Sequence, residues 1–356
     1  GQAEPPGAGE PAALGGFALG DGVEGLIEPA SGAFSFALQV AGVSVAWDSR
    51  VAGADRAGLG PGWSIASLPR VEVEGGVRVS PASGGVYRAN ASVPSGLDGY
   101  LLGDVVFRQR PTTLPARSDG LRAAVQPTYE LIELGGVRTY FDAEGNPIVR
   151  LDANGHRSEW EWDGGRLLRA IDADGVVTTL DWADPAEVRV VTAAGPARSV
   201  AEAIELEGGR LVGVVDASGG RVRVGYSRAG LVDRVTAISG AVTEVTWAAQ
   251  LDGRATVDRV RVLDAETGVE LSAREWSAEE GSASGWPARQ LPLTPGSASP
   301  TDAGFATAVG DGASTVTSHF DAQGLLLERT IELATSAGSQ VVQRQAYTYP
   351  DTDAGV

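Results

Sequence analysis

One four-residue phrase, Asp-x-x-Gly, constrains this chain more than any other feature. It returns as Asp142-Ala143-Glu144-Gly145, Asp152-Ala153-Asn154-Gly155, Asp172-Ala173-Asp174-Gly175, Asp216-Ala217-Ser218-Gly219 and Asp321-Ala322-Gln323-Gly324. An aspartate at the first position of a turn accepts hydrogen bonds from backbone N–H groups further along it. A glycine at the fourth position takes positive φ at no steric cost. Together they specify a type I turn followed by a G1 bulge, a common hairpin connection. Asp163-Gly164-Gly165 and Ser239-Gly240 are shorter relatives. Strands of about five to seven residues fit between the turns. Such a hairpin cannot bury its apolar face alone, so the repeats must lie side by side.

The segments between turns alternate as strands do. Ser158-Glu159-Trp160-Glu161-Trp162 places both tryptophans on one face and both glutamates on the other, with the glutamates expected to face solvent. Arg221-Val222-Arg223-Val224-Gly225-Tyr226 does the same with Val222, Val224 and Tyr226. Upstream, 34–40 and 43–47 alternate, and Val71-Glu72-Val73-Glu74 faces Val77-Arg78-Val79 across Gly75-Gly76 as a two-residue hairpin. Further strands are predicted over 314–320, 325–333 and 340–349. Only 199–206 carries a helical signal, and it fits a strand almost as well. The fold class expected is all-β.

The 49 glycines in 356 residues have no collagen-like period and read as turns. No apolar run approaches the roughly 18 residues of a membrane-spanning helix. The net charge is −18 and all 28 basic residues are arginine, a balance that disfavours nucleic acid and anionic membranes as partners. With no cysteine, disulfides, thiolate metal sites and cysteine nucleophiles are excluded. Methionine is absent too, and the chain opens Gly1-Gln2-Ala3, as a processed or partial polypeptide would. Three regions are expected: a Gly/Pro/Ala-rich linker or arm over 1–20, an N-terminal β-segment over 21–125, and a repeat sheet over 126–356 with a loop excursion at about 277–315. The last strand, near 344–349, is expected to leave an unpaired edge, as if the chain originally continued.

The repeat resembles the YD repeat of Rhs (rearrangement hot spot) proteins, found also in teneurins and in the C component of Tc toxins. Trp162-Asp163 and Asp181-Trp182 stand near the Tyr-Asp positions, and Phe141-Asp142 and Phe320-Asp321 are aromatic-Asp variants. The upstream part resembles the N-terminal phrases of Rhs and SpvB-like segments. Pro29-Ala30-Ser31-Gly32 is followed by Trp47-Asp48-Ser49-Arg50, then Gly58-Leu59-Gly60-Pro61-Gly62-Trp63-Ser64-Ile65, then Pro69-Arg70-Val71. The resemblance covers roughly 21–275 and 314–356. It implies a hollow cocoon in which a β-ribbon spirals into a barrel around a C-terminal effector, often a toxin region of the same chain. This chain shows neither the Asp-based self-cleavage segment nor a toxin domain of that family. The residues expected to carry these structural motifs are Gly60, Gly62, Trp63, Asp142, Gly145, Asp152, Gly155, Asp172, Gly175, Asp216, Gly219, Asp321 and Gly324.

Catalytic, metal-binding and cofactor residues are not expected. The two histidines, His156 and His319, stand beside turns with no nucleophile or ligand partner in view. The Asp-x-x-Gly phrases match neither calcium-loop spacing, and turn chemistry accounts for their aspartates. Glu159/Glu161 and Glu279/Glu280 are adjacent carboxylates with surface positions as the default, and Trp160, Trp162, Trp182 and Trp247 read as core aromatics or as a sugar groove. No phosphate-loop, nucleophile-elbow or zincin motif occurs. The expected role is structural: a shell segment, secreted or at the bacterial cell surface. Its partners would be the downstream polypeptide or other chains that complete the shell, and the enclosed effector. The alternative is a wall- or surface-associated adhesion module that engages carbohydrate or a cell-surface ligand. A far-ultraviolet circular dichroism spectrum should show a single β minimum; a helical double minimum would contradict the fold class.

Overall fold

A computed structural model describes residues 16–20, 23–28, 31–52, 55–65, 68–73, 75–80, 87–98, 105–193, 199–249, 255–278, 305–320, 326–336 and 338–348. The protein is all-β, with two single 3-10 turns among the described residues. Five strands form an N-terminal sheet in sequence order: β1 (Gly16–Gly20), β2 (Val23–Ile27), β3 (Phe34–Val40), β4 (Val43–Asp48) and β5 (Trp63–Ile65). A second, three-stranded sheet contains β6 (Arg70–Glu72), β7 (Arg78–Ser80) and β8 (Tyr87–Arg88).

The rest is one 19-strand antiparallel sheet. It begins with β9 (Val106–Gln109), β10 (Tyr129–Ile132), β11 (Arg138–Phe141), β12 (Pro147–Leu151), β13 (Arg157–Asp163) and β14 (Arg166–Ile171). It continues through β15 (Val177–Asp184), β16 (Glu187–Ala193), β17 (Ser199–Glu207), β18 (Arg210–Val215), β19 (Arg221–Tyr226) and β20 (Val232–Thr236). Then come β21 (Val242–Ala249), β22 (Ala255–Leu263), β23 (Glu270–Ala278) and β24 (Phe305–Gly310). The last three are β25 (Ser314–Phe320), β26 (Leu326–Thr335) and β27 (Gly338–Ala346). Each strand pairs with the one before and the one after it in sequence. At the ends, β9 pairs with β10 and β27 pairs with β26, and the sheet is not closed.

The turns follow the predicted chemistry. Gly145, Gly155, Gly175 and Gly219 have φ of 87°, 84°, 81° and 87°. In the loop at Asp216, the carboxylate accepts the N–H groups of Ser218 and Gly220, both at 2.8 Å, and the Gly219 N–H donates to the Asp216 carbonyl. Asp152 and Asp172 repeat this pattern. Asp321 and Gly324 lie outside the described residues.

One face of the large sheet is apolar and buried. Leu167, Leu180, Val190, Ile204, Val214, Val224, Val235, Val245, Val260, Trp276 and Val309, one from each strand β14 to β24, share a core with the N-terminal sheet. Eleven strands laid flat would span about 50 Å, whereas five strands of this length cover about 20–25 Å in either direction. The large sheet therefore bends its apolar face around the small one. The opposite face carries cross-strand ion pairs such as Arg221–Glu205 at 2.9 Å and Arg261–Glu244 at 2.7 Å.

Several expectations change. The predicted arm contains β1, because Leu19 is fully buried in the shared core. Residues 199–206 are strand, since Ile204 faces that core between Val188 and Val214. The predicted excursion at 277–315 is narrower, with strand up to Ala278 and again from Phe305; the segment 279–304, with Glu279 and Glu280, lies outside the described residues. The large sheet starts at β9, ahead of the boundary expected at 126. The expected hollow interior is, along β14–β24, filled by the chain's own N-terminal sheet.

Trp182, partly buried against the core with its Nε1 donating to the Leu167 carbonyl at 2.8 Å, gives a stability test. Trp182→Phe removes an indole hydrogen bond and should cost about 1 kcal/mol. Trp182→Ala, which also removes the ring, should cost about 3–5 kcal/mol in denaturant unfolding. Equal costs for the two would contradict the packing described.

Candidate functional site

The repeats contain a spacing that the turn phrase alone does not reveal. Trp162 Nε1 donates to the Pro147 carbonyl at 2.7 Å, and Trp182 Nε1 to Leu167 at 2.8 Å. Tyr226 Oη donates to the Leu211 carbonyl at 2.5 Å, and Trp247 Nε1 to Val232 at 2.9 Å. Donor and acceptor are 15 residues apart in all four. Counting from each acceptor, the turn residue comes five later (Asp152, Asp172, Asp216, Ala237) and the turn glycine eight later (Gly155, Gly175, Gly219, Gly240). Ala237 keeps the turn without the carboxylate, through its carbonyl, which accepts the Gly240 N–H at 2.9 Å. Each aromatic thus ties the end of one hairpin strand to the start of its neighbour, and satisfies its own buried donor.

Two repeats add an arginine stack. The Arg166 guanidinium lies 5.3 Å from the Trp182 ring centroid, and Arg210 lies 4.6 Å from that of Tyr226. The phrase at 58–63 is laid across both. A Cβ on Gly58 would fall 2.6 Å from Arg166 Cγ, and one on Gly60 would fall 2.9 Å from Arg210 Cα. Gly60 also has φ of 94°, so both space and backbone require glycine there. The Leu59 carbonyl accepts the Leu211 N–H at 2.9 Å. Trp63 is fully buried, edge-on to Phe36, and donates its indole N–H to Tyr226 Oη at 2.8 Å. Gly62, at φ 90°, sits against the Trp47 indole. Gly60 and Trp63 thus meet the repeat that carries Asp216 and Gly219, at Arg210 and Tyr226, while Gly62 packs on Trp47 within the N-terminal sheet.

Further bonds fix the rim of this seam. The Val257 N–H donates to the Gly32 carbonyl at 2.9 Å, and the Ala41 N–H donates to the Glu202 carboxylate at 2.8 Å. Within the N-terminal sheet, Asp48 is buried and accepts the Arg50 N–H and guanidinium, each at 2.8 Å. Burial pushes the Asp48 carboxyl up, but the Arg50 bonds and the charges of Arg50 and Arg70 outweigh it and hold it below the usual range. Burial also pushes the Tyr226 phenol up, against the Trp63 hydrogen bond and the Arg210 charge, to about 12.

The other candidate residues are placed as follows. His156 is exposed, its Nδ1 2.8 Å from an Asp152 carboxylate oxygen on the turn. His319 lines a cleft of about 440 Å³ with Thr317, Glu328, Thr330 and Arg344. Among the described residues, no three His, Asp or Glu side chains converge as a metal site would need. Glu159 corrects the expectation of a solvent-facing acid: it is fully buried. The segment at 111–125 crosses that face of the sheet, and Arg117, Arg122 and Arg157 approach the Glu159 carboxylate at 3.5, 3.3 and 2.9 Å. No local pattern at Glu159 signals this, because the covering segment lies about 40 residues upstream. Trp162, Trp182 and Trp247 are partly buried in the core with their N–H groups spent on carbonyls, which leaves little of a sugar platform. At the far end of the sheet, all nine residues of β27 are exposed, Val341 and Val342 among them, and its outer edge has no partner among the described residues.

No protein-family model matches the chain, and no curated protein does. Among solved structures the chain is similar to TcdB2-TccC3-Cdc42 at 10% identity and a TM-score of 0.18, over 86% of this chain and 20% of that one. It is also similar to TcdB2-TccC3 without its hypervariable C-terminal region, at 11% identity and 0.17 over 86% and 20%, and to TcdB2-TccC3, at 11% and 0.17 over 89% and 21%. The chain spans about a fifth of the length of each. At these scores and identities the likeness carries nothing about activity.

The seam predicts two outcomes. Trp63→Ala should destabilise the chain by about 3–5 kcal/mol. Because the folded pKa of Tyr226 lies above its ordinary value of 10.0, its contribution to stability is complete below pH 10 and is lost as pH rises toward about 12. Stability measured across that window should fall less steeply for Tyr226→Phe than for the native chain; equal slopes would contradict the buried phenol.

Proposed function

We propose that the chain is a structural, non-catalytic segment of a YD-repeat shell that encloses or displays a C-terminal effector, a toxin region, in delivery to other bacteria or to a host. The observation that carries this reading is the order of the 19-strand sheet. Each strand adds beside the last, and the order ends on β27, which pairs only with β26 among the described residues. A ladder of this kind grows by simple continuation, and an open edge of nine exposed residues offers hydrogen-bonding groups to a further strand. The apolar face is concave and taken up by the N-terminal sheet through β24, so enclosed volume would come from strands beyond β27. The partners are then the downstream polypeptide, or other chains that complete the shell, and the effector inside. The place of action is outside the cell or at its surface. The adhesion reading has less support, because the tryptophans that would stack on sugar serve the internal ladder.

Hydrogen exchange tests this. In the isolated chain the β27 amides should exchange at least a hundredfold faster than those of β16–β18, and the chain should self-associate. In a longer polypeptide that carries the following residues, β27 should gain protection. A monomeric isolated chain with β27 as protected as β16–β18 would overturn the shell reading.

A further inference from the structure

We propose that Tyr226 is the residue that sets where the N-terminal sheet seats on the repeats, because its hydroxyl alone among the four equivalent aromatics can accept a hydrogen bond while donating one. The inference stands apart from the shell reading, since it concerns only how one sheet recognises the other.

The four ladder aromatics occupy the same place in their repeats, 15 residues after a carbonyl acceptor. Three are tryptophan, whose indole N–H is a donor only. Tyrosine's hydroxyl is both donor and acceptor. Tyr226 uses both: it donates to the Leu211 carbonyl at 2.5 Å, as the tryptophans do to theirs, and accepts Trp63 Nε1 at 2.8 Å. Trp63 is fully buried, so its N–H would lose stability without an acceptor within the protein, and Tyr226 supplies one. Trp47, beside the phrase, has a buried indole nitrogen with no acceptor among the described residues, so the Trp63 bond is the indole bond that joins the two sheets there.

A shifted seating meets a different surface. A seating shifted by one hairpin would bring Trp63 to Leu206 on β17 or to Trp247 on β21, neither of which has a side-chain acceptor for its N–H. The repeat of Trp182 has an arginine stack like that of Tyr226, so stacking alone does not separate the two. The hydroxyl does. The Leu59 carbonyl and Gly60, which engage Leu211 and Arg210, then fall into place next to it. Tyr226 is thus a positioning residue, and the change from Trp to Tyr in one repeat marks the seat.

Three variants of the full chain test this: Tyr226→Trp keeps the ladder donor and removes the acceptor, Tyr226→Phe removes both, and Trp247→Phe removes only a ladder donor. The readout is exchange of the Trp63 indole N–H by NMR, taken relative to the Val190 amide so that global unfolding cancels. Tyr226→Trp and Tyr226→Phe should each speed Trp63 exchange by about tenfold or more, while Trp247→Phe leaves it within about threefold of native. Trp63 exchange that stays within threefold in either Tyr226 variant, or that speeds equally in Trp247→Phe, would overturn the proposal. Should Tyr226→Trp fail to fold, the contrast of Tyr226→Phe with Trp247→Phe decides alone.

Discussion

The hydrogen bond from an aromatic side chain to a carbonyl 15 residues earlier is the interaction on which the repeat sheet depends. A strand ladder by itself fixes neither register nor curvature, since a slip of one residue exchanges the two faces. The Asp-x-x-Gly turn sets the loop length, and the aromatic bond pins the strands at the opposite end of the same hairpin. With both ends held, the alternating valines and leucines of β14–β24 fall on one face. That face requires a cover, and the N-terminal sheet provides it.

The two sheets are therefore one core. Trp247 meets Phe34 and Trp47 edge-on, with ring centroids 6.4 and 6.1 Å apart, so a ladder aromatic is also part of the interface. The other face of the large sheet is maintained differently. Exposed pairs such as Arg261–Glu244 contribute little individually. The buried Glu159, ringed by three arginines, is the exception; its charge is removed from water and depends on those ion pairs for compensation.

Local chemistry was the legible part of the sequence. The turn phrase and the alternation of 34–40 and 43–47 translate directly into structure, because each rests on neighbours within a few residues; a hairpin also forms around Gly75-Gly76, but its register, Glu72 opposite Arg78, leaves a loop longer than the two residues expected. What lay further apart was not legible. The 15-residue ladder leaves one trace in the sequence, four aromatics each seven residues after a turn glycine, but its acceptors are carbonyls and have no side-chain identity. Leu19 sits in a Gly-rich stretch that reads as a linker until its burial is seen. Glu159 reads as a surface acid because the segment that covers it is distant in sequence.

The central claim is that the N-terminal sheet is the interior of the large sheet's bend and folds with it as one unit. Native-state hydrogen exchange of the Leu211 and Val257 amides, whose acceptors are the Leu59 and Gly32 carbonyls, measures this directly. The account predicts that both exchange only with global unfolding, at the same free energy as the Val190 amide within β16. Exchange of Leu211 and Val257 at a distinctly lower free energy, with β16 still protected, would show a separable N-terminal sheet and contradict it.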